Sequence, residues 1–121
     1  MKILLDTHAL IWFVEDDEKL PDSLKVILSQ KNNSIFVSVA SLWEMAIKIS
    51  LNKLSISVSF DEVIELVKSN GFEILQISES HLSELLKLPF IHRDPFDRIL
   101  VAQSSSEDFL FVSRDEIFNS Y

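Results

Sequence analysis

Four acidic residues lie at positions from which a carboxylate could take part in a reaction, each next to an apolar run or a helix start. They are Asp6, Glu44, Asp97 and Asp115. Carboxylate oxygens are ligands that Mg²⁺ and Mn²⁺ prefer in proteins. Ions held in this way activate water and stabilise the leaving oxygen of a phosphodiester. Four carboxylates gathered without cations would repel one another, so a cluster of these residues indicates a metal-dependent hydrolase.

The first two acids also have ordinary structural interpretations. Asp6 closes the apolar run that follows Met1, where it is equally suited to ligate a metal or to cap a helix beginning at Thr7 or His8. Glu44 lies four residues before Lys48, a spacing typical of a solvated ion pair on a helix surface. Taken alone, Glu44 is better explained by that surface pair.

The other two acids lie at predicted helix starts and turns. Asp94 with Pro95 predicts a helix N-terminus in which Asp94 is the cap and Asp97 lies in the first turn. We interpret Asp97 as the functional acid of this segment. Asp115 also fits a surface turn or a cap, with Ser113 as a turn residue.

The composition limits the classes of protein to which the chain can belong. Its 121 residues suit a single domain over 1–121, and the absence of cysteine excludes disulfide scaffolds, zinc fingers and thiol nucleophiles. Eleven basic and 19 acidic residues give a net charge of −8, without the basic excess typical of nucleic-acid binders. The apolar N-terminal run is interrupted by Asp6, which argues against a signal peptide. With no apolar run long enough to span a membrane, we expect a cytoplasmic protein.

Strands and helices alternate along the chain. Strands are predicted at Lys2–Leu5, Ile35–Val39, Phe72–Ile77 and Phe109–Val112. Helices are predicted at His8–Val14, from Pro21 to near Asn32, at Ala40–Leu51, Ser59–Val67 and Glu79–Leu88, and from Asp94 to about Ser106, with a terminal turn or short helix at Asp115–Tyr121. This order predicts an α/β sandwich with a mainly parallel sheet, whose functional residues lie beyond the carboxyl ends of the strands.

Several other functions are disfavoured because the chain lacks residues that their sites require. A single glycine cannot build the phosphate-binding loops of dinucleotide or P-loop proteins. A haloacid-type phosphatase needs a second aspartate where this chain has His8, and a receiver domain needs paired acids near its start. The three histidines show no metal-ligand spacing and are assigned no role. The aromatic residues Trp12, Phe13 and Trp43 are predicted to be core or interface residues and not platforms for RNA bases.

Four blocks of sequence together carry a resemblance to a known family. They are ILLDTHALIW at 3–12, SLWEMAIK at 41–48, HRDPFDRILVAQ at 92–103 and SRD at 113–115. In this order and over nearly the whole chain, they resemble the PIN-domain toxins of the VapC type. The resemblance implies a three-layer α/β/α sandwich with a mainly parallel sheet of four strands. Relatives have a fifth strand.

The resemblance also implies a function, a cofactor and partners. It implies a cytoplasmic endoribonuclease toxin that cleaves tRNA, rRNA or mRNA, forms a homodimer and is neutralised by a cognate antitoxin. The implied ligands of Mg²⁺, or of Mn²⁺ in its place, are Asp6, Glu44, Asp97 and Asp115. Thr7, Asp94 and Ser113 are the supporting residues, and Lys48, Arg93 and Arg98 are candidate contacts to RNA phosphate or, equally, solvated surface charges.

Two departures from the family pattern leave an alternative open. Relatives continue into a fifth short strand, whereas this chain stops at Tyr121, and the turn at 104–108 lacks the glycine that relatives often carry. Together with the acidic net charge, the short C-terminus suggests a catalytically inactive PIN-like module that binds a partner protein. A lack of divalent-metal binding would favour that alternative.

Overall fold

The computed structural model of the chain describes residues 1–89, 94–112 and, for the backbone alone, 117–118. The strands are β1 Lys2–Leu5, β2 Ser34–Ser38, β3 Glu73–Leu75, β4 Leu110–Val112 and β5 Ile117–Phe118. They form one sheet in the order β3-β2-β1-β4-β5. The first four strands are parallel, and β5 runs antiparallel to β4 at the edge. The predicted mainly parallel sheet is therefore confirmed, with the fifth strand present.

The described residues also form six helices, close to the predicted positions. They are α1 Thr7–Val14, α2 Asp22–Ser29, α3 Val39–Ser50, α4 Phe60–Ser69, α5 Glu79–Lys87 and α6 Pro95–Glu107. Predicted caps fix two of the boundaries, because Ser59 and Glu62 form a capping box at α4 and the Asp94 side chain caps α6. None of the described helices combines the length and apolar character needed to cross a bilayer.

The central strand β1 supplies core residues to both faces of the sheet. Leu4 packs with Leu100 and Phe111 in a cluster on one face, against α6. Ile3 and Leu5 belong to a larger cluster that includes residues of α1, α2, α3 and α4. All three β1 residues have no exposed surface, as expected for a parallel strand covered on both faces. Helices therefore lie on both sides of the sheet, which agrees with the α/β/α sandwich.

The chain end differs from the sequence-based expectation. The predicted terminal turn or short helix was wrong at Ile117–Phe118, which pair with Phe111 and Val112 of β4. A β-branched and an aromatic residue favour a strand, and β4 would otherwise leave an open edge. The glycine-free turn before β4 is made by Asp108, which adopts a left-handed conformation at φ 58°. Aspartate tolerates this region better than most residues, so the turn forms without glycine.

A buried histidine joins α5 to α6, a role that the sequence did not reveal. His81 is 1% exposed, and its Nδ1 accepts a hydrogen bond from the Ser78 backbone N–H at 3.0 Å. The Ser78 hydroxyl accepts in return from the His81 backbone, so histidine replaces the usual Glu or Gln of a capping box. Its Nε2 pairs with Glu107 at the end of α6. One side chain therefore caps one helix and holds another.

Replacing His81 by alanine should destabilise the fold, because it removes a cap and empties a buried site. We expect His81→Ala to lower the free energy of unfolding by about 2–4 kcal/mol, and His81→Gln, which keeps the capping geometry, to lose less. Urea denaturation measures both values. The control is Ser83→Ala, an exposed change on the same helix, for which we expect less than about 0.5 kcal/mol. Equal effects of His81→Ala and Ser83→Ala would contradict the assigned role.

Candidate active site

Asp6 lies at the carboxyl end of β1, beside the last residue of β4. Its backbone N–H donates to the Val112 carbonyl at 2.9 Å. Its side chain is the N-cap of α1, with Oδ1 accepting from the Ala9 N–H at 2.8 Å. The residue is only 6% exposed. The capping interpretation is therefore confirmed, and the carboxylate lies buried at the sheet edge where parallel-sheet proteins place their function.

Glu44 lies on the face of α3 that is turned toward the start of α1. The Thr7 hydroxyl donates to the Ser41 hydroxyl at 3.1 Å, and both residues are buried. Ser41 and Glu44 are three residues apart, so they share one face of the helix. The Thr7–Ser41 bond therefore joins the two chain segments that carry Asp6 and Glu44.

The predicted ion pair of Glu44 with Lys48 is present, but it is not a solvated surface pair. Lys48 Nζ lies 2.8 Å from Glu44 Oε2, with the Lys48 side chain 40% exposed and that of Glu44 only 6%. A buried carboxylate without a partner would be strongly unfavourable. Lys48 therefore reaches in from the solvent side and compensates a charge that the fold has removed from water.

The third acid, Asp97, lies next to the contact between α3 and α6. Asp94 Oδ1 accepts from the N–H groups of Phe96 at 2.8 Å and Asp97 at 3.2 Å, so Asp94 is the cap that the sequence predicted. The rings of Phe96 and Trp43 pack edge to face at a centroid distance of 5.2 Å. Since Phe96 precedes Asp97 and Trp43 precedes Glu44, this contact places the two acidic segments side by side. Asp97 itself is exposed.

The complete four-acid cluster remains a prediction. Among the residues that the structure describes, no three His, Asp or Glu side chains lie close enough together to hold a metal ion. Asp6 and Glu44 are buried on joined segments, whereas Asp97 lies exposed at the start of α6. Asp115, Ser113 and Arg93 fall outside the described residues. The chain segment that carries Asp115 follows β4, whose end is bonded to Asp6.

The two described basic candidates for phosphate contact both bond to protein groups. Arg98 donates from one guanidinium nitrogen to the Pro89 carbonyl at 3.0 Å and from the other to the Leu85 carbonyl at 3.3 Å. These bonds tie α6 to the end of α5, where the helix dipole favours a cation. Lys48 bonds Glu44. Contact of either residue with RNA remains a prediction.

The donor chemistry of this region fits a hard dication. Asp6 and Glu44 offer carboxylate oxygens, which Mg²⁺ prefers to nitrogen or sulfur. The Lys48 ammonium already occupies a cation position 2.8 Å from Glu44 Oε2. The surroundings of Glu44 therefore accept a positive charge.

Comparisons with known proteins identify the family and the fold of the chain. A model of the PIN domain matches residues 3–121. The chain belongs to the PIN-domain family. The structure of VapBC2 from Rickettsia felis, bound to a DNA fragment from their promoter, contains a chain with the same fold as this PIN domain. The TM-score is 0.66, with 92% of this chain and 85% of that chain covered at 19% sequence identity. This likeness establishes the fold alone. A search of curated proteins found no match.

One polar residue of this PIN domain, Ser41, has a contact that the sequence did not predict. Ser41 was not assigned a role, although a small polar residue three positions before Glu44 in an apolar helix was the available signal. Of the two predicted locations for Trp43, its exposure of 59% excludes the core, and the interface stays a prediction. Trp12 and Phe13 are half-buried against the larger core cluster, as predicted.

Two substitutions distinguish the two roles of Asp6, as a helix cap and as a candidate metal ligand. Asparagine caps a helix as well as aspartate does, so Asp6→Asn should change the free energy of unfolding by less than about 0.5 kcal/mol. Asp6→Ala loses the cap and should cost about 1–2 kcal/mol. Chemical denaturation in the presence of a chelator measures both. Equal destabilisation by the two substitutions would show that the charge, and not the cap, supports folding.

Proposed function

We propose that this PIN domain is a VapC-type toxin, a metal-dependent endoribonuclease that hydrolyses RNA phosphodiester bonds. The observation that carries the proposal is the burial of two carboxylates, Asp6 and Glu44, on segments joined at the carboxyl edge of a parallel sheet. The PIN-domain match to residues 3–121 supports the same class of function.

Folding alone does not account for a charged Glu44. A buried ion pair often adds no stability compared with apolar residues of the same size, so a helix that needed only to pack would do as well without Glu44 and Lys48. Asp6 has a structural reason to be polar, but Asn, Ser or Thr would cap α1 without a charge. The presence of an acidic side chain at both positions therefore favours a role in binding a cation.

In the proposed site Asp6, Glu44, Asp97 and Asp115 would hold Mg²⁺, with Mn²⁺ as a substitute. When bound, the ion would acidify a water molecule and stabilise negative charge on the phosphate. Lys48 would exchange its bond with Glu44 for one with substrate phosphate. Thr7, fixed by Ser41, would keep the start of α1 and hence Asp6 in place, with Ser113 in a similar supporting role.

The proposed partners are RNA, as substrate, and an antitoxin protein. With a net charge of −8, the chain has no general attraction for polyanions, so bound cations would provide the local attraction for phosphate. The chain of similar fold comes from VapBC2, which supports the proposal of an antitoxin partner here. We also propose that the protein acts in the cytoplasm as a homodimer.

The purified protein should cleave RNA in the presence of Mg²⁺ or Mn²⁺, and cleavage should stop when a chelator is in excess. Asp6→Asn and Glu44→Gln should each lower the cleavage rate by at least about 100-fold, since even loss of an outer-shell partner of a metal costs about 10- to 100-fold. The matched control is Asp61→Asn, which removes the same charge from an exposed position on α4 and should leave the rate unchanged. Gel analysis of a labelled RNA measures all three.

A second candidate function, an inactive PIN-like interaction module, is favoured by the acidic net charge and by the pairing of Glu44 with Lys48. Isothermal titration with Mg²⁺ and Mn²⁺ separates the two functions. Binding heat that disappears in Asp6→Asn would support the nuclease. Absence of both binding heat and metal-dependent cleavage in the wild-type protein would reject the nuclease in favour of the module.

A further inference from the structure

Trp43 is an exposed aromatic side chain, in contrast to the other Trp and Phe rings of the residues that the structure describes. It is 59% exposed, and the other exposed large hydrophobic residues are aliphatic: Met1, Val26, Leu51, Leu82 and Leu86. Every other Trp or Phe within residues 1–89 and 94–112 is buried or half-buried. Packing of the core therefore does not explain why a large ring occupies this position.

The position of Trp43 connects it with the proposed site. It directly precedes Glu44 on α3, and its ring packs at an interplanar angle of 80° on Phe96, which directly precedes Asp97. One turn earlier on α3, Ala40 is fully buried against α6. The two helices are therefore held together beneath the rings. The indole is fixed in place while much of its surface stays open to solvent, so a ligand that stacks on it finds an ordered surface.

Charge favours a base, and not the phosphate chain, as the group that this surface would recognise. The net charge is −8, and both Lys48 and Arg98 bond to protein groups. Away from the metal site and its Lys48, the acidic net charge therefore gives little attraction for the phosphate chain, and salt weakens that attraction further. Stacking on an aromatic ring does not depend on positive charge, and every base has a face that can stack.

We propose that Trp43, supported by Phe96, is the platform on which one unpaired base of the RNA substrate stacks, next to the cleaved phosphate. This inference rests on the proposed nuclease function and narrows its substrate class. Bases in a regular RNA duplex are already stacked, so the platform selects RNA whose bases are splayed out in a loop, bulge or single strand.

Cleavage kinetics with modified RNA test the platform directly. On a single-stranded oligonucleotide, Trp43→Ala should raise KM about 5- to 100-fold, the effect of one base–aromatic stack, with little change in kcat because the stack also forms in the ground state. Trp43→Phe should recover most of the affinity. Leu86→Ala is the matched control, because it removes an exposed apolar side chain from α5.

An abasic nucleotide next to the cleaved bond identifies the stacked base. Removing that base should raise KM for the wild-type protein by a similar factor and should have no further effect in Trp43→Ala, because both changes remove the same contact. Independent effects of the two changes, or an unchanged KM in Trp43→Ala, would overturn the platform and leave the nuclease proposal intact.

A binding measurement that needs no cleavage separates this inference from the proposed function. The chain has two tryptophans, so Trp12→Phe leaves Trp43 as the only indole. In that variant, single-stranded RNA should quench the fluorescence of Trp43, and an abasic ribose-phosphate strand should not. If the wild-type protein cleaves no RNA, the proposed function fails, and the quenching still decides whether RNA bases meet Trp43. A shift in sedimentation from a dimer to a monomer in Trp43→Ala would overturn the platform, because the ring would then belong to an interface between copies.

Discussion

Burial of two carboxylates at the edge of a parallel sheet is the constraint on which this structure depends. A charge removed from water needs a nearby compensating group, and each acid has a different one. Asp6 is stabilised by an N–H group at the start of α1, and Glu44 by the ammonium of Lys48. Both bonds are local, the first within the opening turn of α1 and the second between neighbouring turns of α3. The Thr7–Ser41 bond joins the two helices where they approach.

The strand order brings the acidic segments together. Because β1 lies between β2 and β4, the segments that follow these three parallel strands leave the same edge of the sheet as neighbours. The segment after β1 begins with Asp6, and the segment after β2 is α3. No loop separates β2 from α3, since Ser38 ends the strand and caps the helix. The position of Glu44, one and a half turns later, is therefore set by the end of β2.

Local signals in the sequence predicted much of the fold. The apolar run of β1, the capping box at Ser59 and the Asp94–Pro95 helix start all act over a few residues, and all were confirmed. Features that depend on distant contacts were not predictable in this way. The burial of Glu44 is set by the packing of α1 on α3, β5 by the open edge of β4, and the role of His81 by Glu107 on another helix. Within the site, the capping by Asp6 and Asp94 was predicted, whereas the bond between Thr7 and Ser41 was not.

The proposed activity depends on whether acids that are distant in the sequence share one cation. Mn²⁺ scatters X-rays anomalously, so a crystal grown with Mn²⁺ gives the position of the ion directly. We expect an anomalous peak about 2.1 Å from carboxylate oxygens of Asp6 and Glu44, with Lys48 displaced from Glu44. Crystals that contain Mn²⁺ but show no peak at these carboxylates, with Lys48 still bonded to Glu44, would contradict the metal-dependent site.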